Sequence, residues 1–202
     1  MHYQQPDYFC KPVPPFGDAD ARLLIVGLAP GMHGANRTGR PFTGDHAGLL
    51  LYATLFKFGL ASAPRSTSAE DGLTLGNVRI TNSVKCLPPG NKPLPAEIKV
   101  CNTYLREELT QSVRTRVILA LGAIAHAAVL RACGLRAAEF RFAHAAEHTL
   151  SGGRVLLDSY HCSRYNTQTR RLTAGMFESI VERALELADA GTPVRHEPGI
   201  AP

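Results

Sequence analysis

The sequence predicts an α/β fold in which parallel strands, joined by covering helices, form one doubly wound sheet. Short apolar runs bounded by turn residues alternate with longer segments of helical period, and this order recurs without any internal sequence repeat. Residues 22–28 (RLLIVGL) read as a buried strand ending at Ala29-Pro30-Gly31, and residues 47–58 (AGLLLYATLFKF) as a helix stopped by Gly59. A polar linker follows. Residues 77–84 (NVRITNSV) alternate like a strand, residues 95–109 form a helix entered through Pro93 and Pro95, and residues 116–121 (RVILAL) are a further buried strand. Gly122 opens an Ala-rich helix and residues 154–157 supply a fourth strand. In residues 173–188, Met176, Phe177, Ile180, Val181, Ala184 and Leu185 make a helical stripe.

With 202 residues, 45% of them hydrophobic, the chain suffices for one well-buried core. A single domain is expected over residues 1–189, with residues 190–202 as a loose tail. No run of about 18 apolar residues occurs and the N-terminus lacks a secretory pattern, so a soluble, cytoplasmic protein without membrane contact is expected, as a monomer. Cys10, Cys86, Cys101, Cys133 and Cys162 are too scattered for a disulfide framework and read as core thiols or metal ligands.

The formal charge of +5 and the pI near 9.1 suit a polyanionic partner. Placement sharpens this: Arg37, Arg40, Lys85, Lys92, Arg164, Arg170 and Arg171 fall in or beside Gly/Pro/Asn-rich loops, where they can meet phosphates. In a doubly wound sheet, ligands bind beyond the carboxyl ends of the strands. The polar segments 29–48, 85–95 and 158–170 occupy those positions, and the chemistry is expected there. The first of them (GLAPGMHGANRTGRPFTGDHAG from Gly27) matches neither the Walker pattern nor GxGxxG, so no nucleotide cofactor is expected.

Three stretches carry a resemblance. They are Gly27-Leu28-Ala29-Pro30 with His33-Gly34, Asn36-Arg37-Thr38-Gly39 and Phe42-Thr43-Gly44-Asp45; then Lys85-Cys86-Leu87-Pro88-Pro89-Gly90-Asn91-Lys92-Pro93; then Leu157-Asp158-Ser159-Tyr160-His161-Cys162-Ser163-Arg164-Tyr165-Asn166-Thr167. In this order they resemble the motifs of the family 5 (type B) uracil-DNA glycosylases. The resemblance implies a three-layer α/β/α sandwich with a central, mainly parallel four-stranded sheet. It also implies hydrolysis of the bond between uracil and deoxyribose in DNA, with hypoxanthine and other deaminated or adducted bases as further substrates; a monofunctional enzyme is expected because no lysine stands in a loop position that clearly suggests Schiff-base lyase chemistry.

The chemistry asks for negative charge or positioned water near a cationic sugar and a donor near the departing base. By resemblance, the catalytic set is Asp45, Asn91 and His161. Asp45 orients water or stabilises the sugar, although Asp before an apolar helix also reads as an N-cap. Asn91 holds water or deoxyribose, or is simply a turn residue between prolines. His161 donates to the pyrimidine O2. Ala29, Phe42 and Asn82 are the base-binding candidates: Phe42 stacks on the extruded base beside backbone amides, and Asn82 resembles the strand-end asparagine with which family 4 enzymes read the uracil edge. Arg37, Lys92, Ser163, Arg164, Tyr165 and Asn166 are the DNA-contacting candidates, with Arg164 and Tyr165 suited to the space left by a flipped nucleotide. His33 is a lesser candidate for the pocket; His126, His144 and His148 read as structural.

Cys162 stands where family members usually carry Pro, which raises a thiol nucleophile as an alternative. Cys86 and Cys101 match two of the four thiolates of the family's [4Fe-4S] cluster. The upstream pair is absent because the Tyr8, Lys11-Pro12-Val13-Pro14 segment begins almost at Met1, with Cys10 the other cysteine nearby, so little or no intact cluster is expected on this chain. Two other readings compete: a damage-binding module of the same fold without activity, and a Rossmann-type nucleotide-binding enzyme.

Overall fold

The computed structural model describes residues 7–190. Residues 1–6, and the expected tail from residue 191 on, lie outside the described residues. Four parallel strands make the centre: β2 (Leu23–Gly27), β3 (Val78–Asn82), β4 (Val117–Leu121) and β6 (Val155–Ser159), between the short antiparallel edges β1 (Phe16–Gly17) and β5 (Glu147–Thr149). The sheet order is β1-β3-β2-β4-β6-β5. Six strands therefore replace the expected four. The two edge strands are two and three residues long and only partly buried, too short to leave a period in the sequence.

The inner strands are legible because helices cover both of their faces. Leu23, Ile25, Val117, Leu119 and Leu121 point to one side, against Leu51, Tyr52 and Leu55 of α2 (His46–Lys57) and Phe177, Val181 and Ala184 of α6 (Ala174–Asp189). Leu24, Val26, Ile118 and Ala120 point to the other, against Leu105 and Leu109 of α3 (Pro95–Gln111) and Ala125, Ala128 and Val129 of α4 (Ala123–Ala132). This alternation makes the three layers. Local chemistry sets the helix ends: Gly59 takes φ +72° so that Leu60 N–H reaches the Leu55 carbonyl, and Thr173 Oγ1 accepts from Met176 N–H. One-turn helices, α1 (Ala35–Thr38) and α5 (Arg164–Gln168), lie inside the first and third polar segments.

Two cations expected at phosphates are instead structural. Arg40 is buried and donates to Asp71 Oδ1 (2.6 Å), Ser66 Oγ (2.9 Å) and the Ala69 carbonyl (2.6 Å), with its guanidinium over the Phe16 ring. Lys85 is buried and donates to Thr81 Oγ1 and to Glu108 Oε2 (3.3 Å), while Arg79 holds the other Glu108 oxygen at 3.1 Å. Both charges are consumed internally because a buried charge needs a partner. The Arg40 pair also pins down residues 60–76, read from sequence as a polar linker, together with a bridge between Ala61 and Leu75.

Burial raises the Asp71 pKa, but the hydrogen bonds from Arg40 and from the Thr67, Leu73 and Ser68 amides outweigh it and hold the carboxyl well below the usual range. Arg40→Ala strands that largely covered carboxylate and is expected to cost about 3 kcal/mol, the low end for breaking a buried pair. Urea unfolding of the variant beside the parent checks it; a change below about 1 kcal/mol contradicts the assignment.

Candidate active site

After β2 the chain runs left to β3 and then returns right to β4, so the carboxyl ends of β2 and β4 flank a topological switch point. Gly27 ends β2 in register with Asn82, the last residue of β3. Pairing continues one step further, since Ser83 and Val84 N–H groups donate to the Gly27 and Leu28 carbonyls at 2.9 Å. This fixes where both loops depart.

The first loop is folded back onto α2. Tyr52 Oη, buried in that helix, donates to the Pro41 carbonyl at 2.7 Å, and Thr43 Oγ1 lies 2.7 Å from Ser66 Oγ. Phe42 takes φ +54° between these anchors, which turns its ring toward the strand ends. A Cβ on Gly27 would lie 2.4 Å from Asn82 Oδ1 and 2.5 Å from Phe42 Cζ, so the ring and the amide both rest on a bare α-carbon. Asn82 is 4% exposed, and its amide makes no hydrogen bond among the described residues. It is thus available to a base edge. Ala29 lies half-buried just beyond β2.

The third loop meets this pair. His161 follows β6 by two residues; its ring stacks near Phe42, centroids 5.9 Å apart and planes 29° apart. Asn166 Nδ2 donates to the His161 carbonyl at 2.8 Å, and Ser163 caps α5 by accepting from Asn166 N–H. Both residues, expected at DNA, also hold the turn of this loop. Burial pushes His161 down to about 4, so the imidazole is neutral at physiological pH and can be a donor without carrying charge. Cys162 is fully buried. Burial, with the field of Asp45 adding to it, pushes its thiol up to about 12, which disfavours the thiolate that a nucleophile needs.

Asp45 does cap α2: Oδ1 accepts from Gly48 N–H at 2.9 Å. The other oxygen lies over Gly34, where a Cβ would stand 2.7 Å from Oδ2. Burial raises the Asp45 pKa against the Gly48 and Ala47 amides and His46, which lower it. The capping and catalytic roles are compatible, because one oxygen caps and the other is left over. Beside Asp45 opens a cleft of about 380 Å³ whose wall carries Arg37, Arg65 and Arg164, with Ser66 and Thr67. His46 Nε2 lies 3.0 Å from Thr167 Oγ1 and joins the first loop to the third.

The middle loop behaves differently. Asn91 is exposed on a 3-10 turn (Pro89–Asn91) at φ +57°, and no contact among the described residues joins it to Asp45, Phe42 or His161. Lys92 beside it is also exposed. Tyr165 is 69% exposed and Arg170 is exposed, whereas Arg171 lies over the Tyr160 ring. His33 is held by the Tyr8 hydroxyl at 2.8 Å. Arg65 escaped the sequence reading because its segment has neither period nor motif; its one signal is a cation within a Ser/Thr-rich turn.

Cys86 and Cys101 line one cleft of about 330 Å³. The other three thiols lie elsewhere: Cys10 accepts from Asn36 Nδ2 at 3.6 Å, Cys133 follows α4, and Cys162 is in the core. The described residues therefore offer two thiolates at that cleft, which does not fit a four-thiolate cluster.

The sandwich and its loop-built pocket agree with what the comparisons find. The model of the uracil DNA glycosylase superfamily matches residues 14–185, so the chain belongs to that superfamily. A type-5 uracil-DNA glycosylase of Thermus thermophilus is 50% identical over 181 residues, covering 90% of this chain and 82% of the relative. Another, from Pyrobaculum aerophilum, is 45% identical over 189 residues, 94% of this chain and 81% of its own. A type-4 enzyme of Thermotoga maritima is 37% identical over 110 residues, 54% of this chain and 49% of the relative. The chain belongs to the type-5 uracil-DNA glycosylases.

Three guanidiniums line one cleft, and their charge and donors suit backbone phosphates. Arg65→Ala is expected to weaken duplex binding and to reduce the slope of log K against log salt by about 0.9, the contribution of one phosphate. Fluorescence anisotropy between low and moderate salt measures it; an unchanged slope takes Arg65 out of the DNA contact.

Proposed function

We propose that this protein is a monofunctional DNA glycosylase that flips uracil out of DNA and hydrolyses its N-glycosidic bond. The observation that carries the reading is the meeting of Phe42, Asn82 and His161 at the ends of β2, β3 and β6, with Asp45, in the same loop as Phe42, lining a cleft with three arginines. The names of the type-5 relatives support the same substrate.

Phe42 offers a face for the extruded base and Asn82 an amide that donates to uracil O4 and accepts from N3–H. As the bond breaks, charge develops on the base. His161, neutral, donates its N–H toward O2, and a donor aimed there acts more strongly on the departing anion than on the bound base. Asp45, ionised and partly desolvated, faces the sugar, where it stabilises positive charge and orients the attacking water. Asn91 joins this set only if the middle loop closes over bound DNA. Arg37, Arg65 and Arg164 hold phosphates, and Tyr165, exposed on the third loop, fills the vacated stack. The reading extends to hypoxanthine and other deaminated or adducted bases, to a monomer, and to a cytoplasmic enzyme with access to the chromosome. Among the described residues no helix is long and apolar enough to cross a membrane. Cys86 and Cys101 supply two thiolates where a [4Fe-4S] cluster takes four, and no step here uses one. Retention of Asp45 and His161 disfavours an inactive damage-binding module.

His161→Ala is expected to slow single-turnover uracil release from an end-labelled duplex, read after hot alkali, by about tenfold to a thousandfold, with DNA affinity retained. The parent's pH profile adds a sign. With its pKa near 4, His161 keeps one state above pH 5.5, so no inflection is expected near 6.5. The raised pKa of Asp45 places the acid limb above that of an ordinary aspartate, with rate lost as pH falls through it. A normal rate in folded His161→Ala contradicts the mechanism.

A further inference from the structure

On the opposite face of the sheet, three side chains that the reaction does not use converge. Asp158 of β6 is fully buried; His126 Nδ1 of α4 lies 2.8 Å from its Oδ1, and His148 Nε2 of β5 lies 3.2 Å from its Oδ2. One donor atom from each residue lies within 4.8 Å of the others. Phe142 packs edge-on against His126, and Phe140 against His148, each with ring centroids 5.7 Å apart.

The hydrogen bonds constrain what this cluster can hold. His126 Nε2 lies 3.0 Å from the Phe140 carbonyl, which can only accept, so Nε2 carries the hydrogen. In the neutral ring, Nδ1 then presents a lone pair to a carboxylate. Two acceptors at 2.8 Å require something positive between them, either a proton or a metal ion. A histidine whose far N–H is tied to a backbone carbonyl is also the arrangement that fixes ring and tautomer for a metal. Two imidazole nitrogens and a carboxylate are a donor set for zinc or a similar divalent transition metal, with the fourth position left for water.

We infer that His126, His148 and Asp158 form a binding site for one divalent transition-metal ion, zinc by its donor set. On binding, the ion replaces the proton between His126 and Asp158, and His148 carries its hydrogen on Nδ1. Tetrahedral zinc at about 2.0 to 2.1 Å spaces its ligand atoms roughly 3.3 Å apart, so small ring rotations suffice. His148, whose side chain is 14% exposed, gives the ion a way in. The ion clips edge strand β5 and helix α4 to β6, just before the loop that carries His161. The site does not rest on the glycosylase reading.

The test uses the full chain carrying Cys86→Ser and Cys101→Ser, so that the thiol cleft cannot take the metal. Anaerobic cobalt titration is expected to give tetrahedral d–d bands that saturate at one equivalent and vanish on adding zinc, and zinc is expected to raise Tm. Adding His148→Ala should weaken cobalt binding at least about a hundredfold and abolish the Tm rise, whereas His144→Ala should leave both unchanged. Absence of d–d bands, or bands indifferent to His148→Ala, overturns the site. If the His148 variant does not fold, imidazole ¹⁵N shifts of the parent decide: zinc is expected to move the His126 Nδ1 and His148 Nε2 resonances, and unmoved resonances at saturating zinc overturn it.

Discussion

The site depends on two α-carbons that carry no side chain. At Gly27 the Phe42 ring and the Asn82 amide come so close that a Cβ would fall within 2.5 Å of both. At Gly48 a Cβ would stand 1.8 Å from the Phe42 carbonyl, so the first turn of α2 can approach the same loop only there. Between these contacts Phe42 is held at a positive φ that a phenylalanine rarely adopts. The backbone strain is local, and the Tyr52 and Thr43 anchors offset it. Asp45 caps α2 within the same construction, which ties the position of the carboxylate to that of the ring.

From this core the electrostatics follow. A ring, an amide and an imidazole packed against a buried sheet end make a dry place, and dryness raises the Asp45 pKa and lowers that of His161. On the proposed mechanism the first faces the sugar cation as a desolvated carboxylate, and the second serves the base as a neutral donor. The arginines stand outside, along the Asp45 cleft, where solvent reaches them.

The central strands and four long helices were legible because burial on both faces leaves unbroken apolar runs in β2 and β4, and a one-sided stripe in α6 leaves a period. Edge strands β1 and β5 and the single-turn helices α1 and α5 were not, since partly buried strands of two or three residues and helices of a single turn are shaped by neighbours rather than by their own pattern. The placement of Asp45, Phe42 and His161 in loops and of Asn82 at a strand end was readable from motif and strand ends together. Charge was misread where a partner far along the chain decides it: Glu108 claims Lys85 and Asp71 claims Arg40, and neither pairing has a local signature. The hydrogen bonds by which Asn166 and Ser163 hold the turn that carries His161 also had no local signature beyond the motif.

The most direct test of a pocket built on a bare α-carbon is the single-turnover rate of uracil release by Gly27→Ala, with folding checked by its thermal transition and duplex affinity measured beside it. A methyl group there must displace Phe42 or Asn82 by roughly an ångström, and a misplacement of that size costs about a hundredfold in rate. The account predicts that loss with DNA affinity retained. A folded Gly27→Ala enzyme that releases uracil at the parent rate would contradict it.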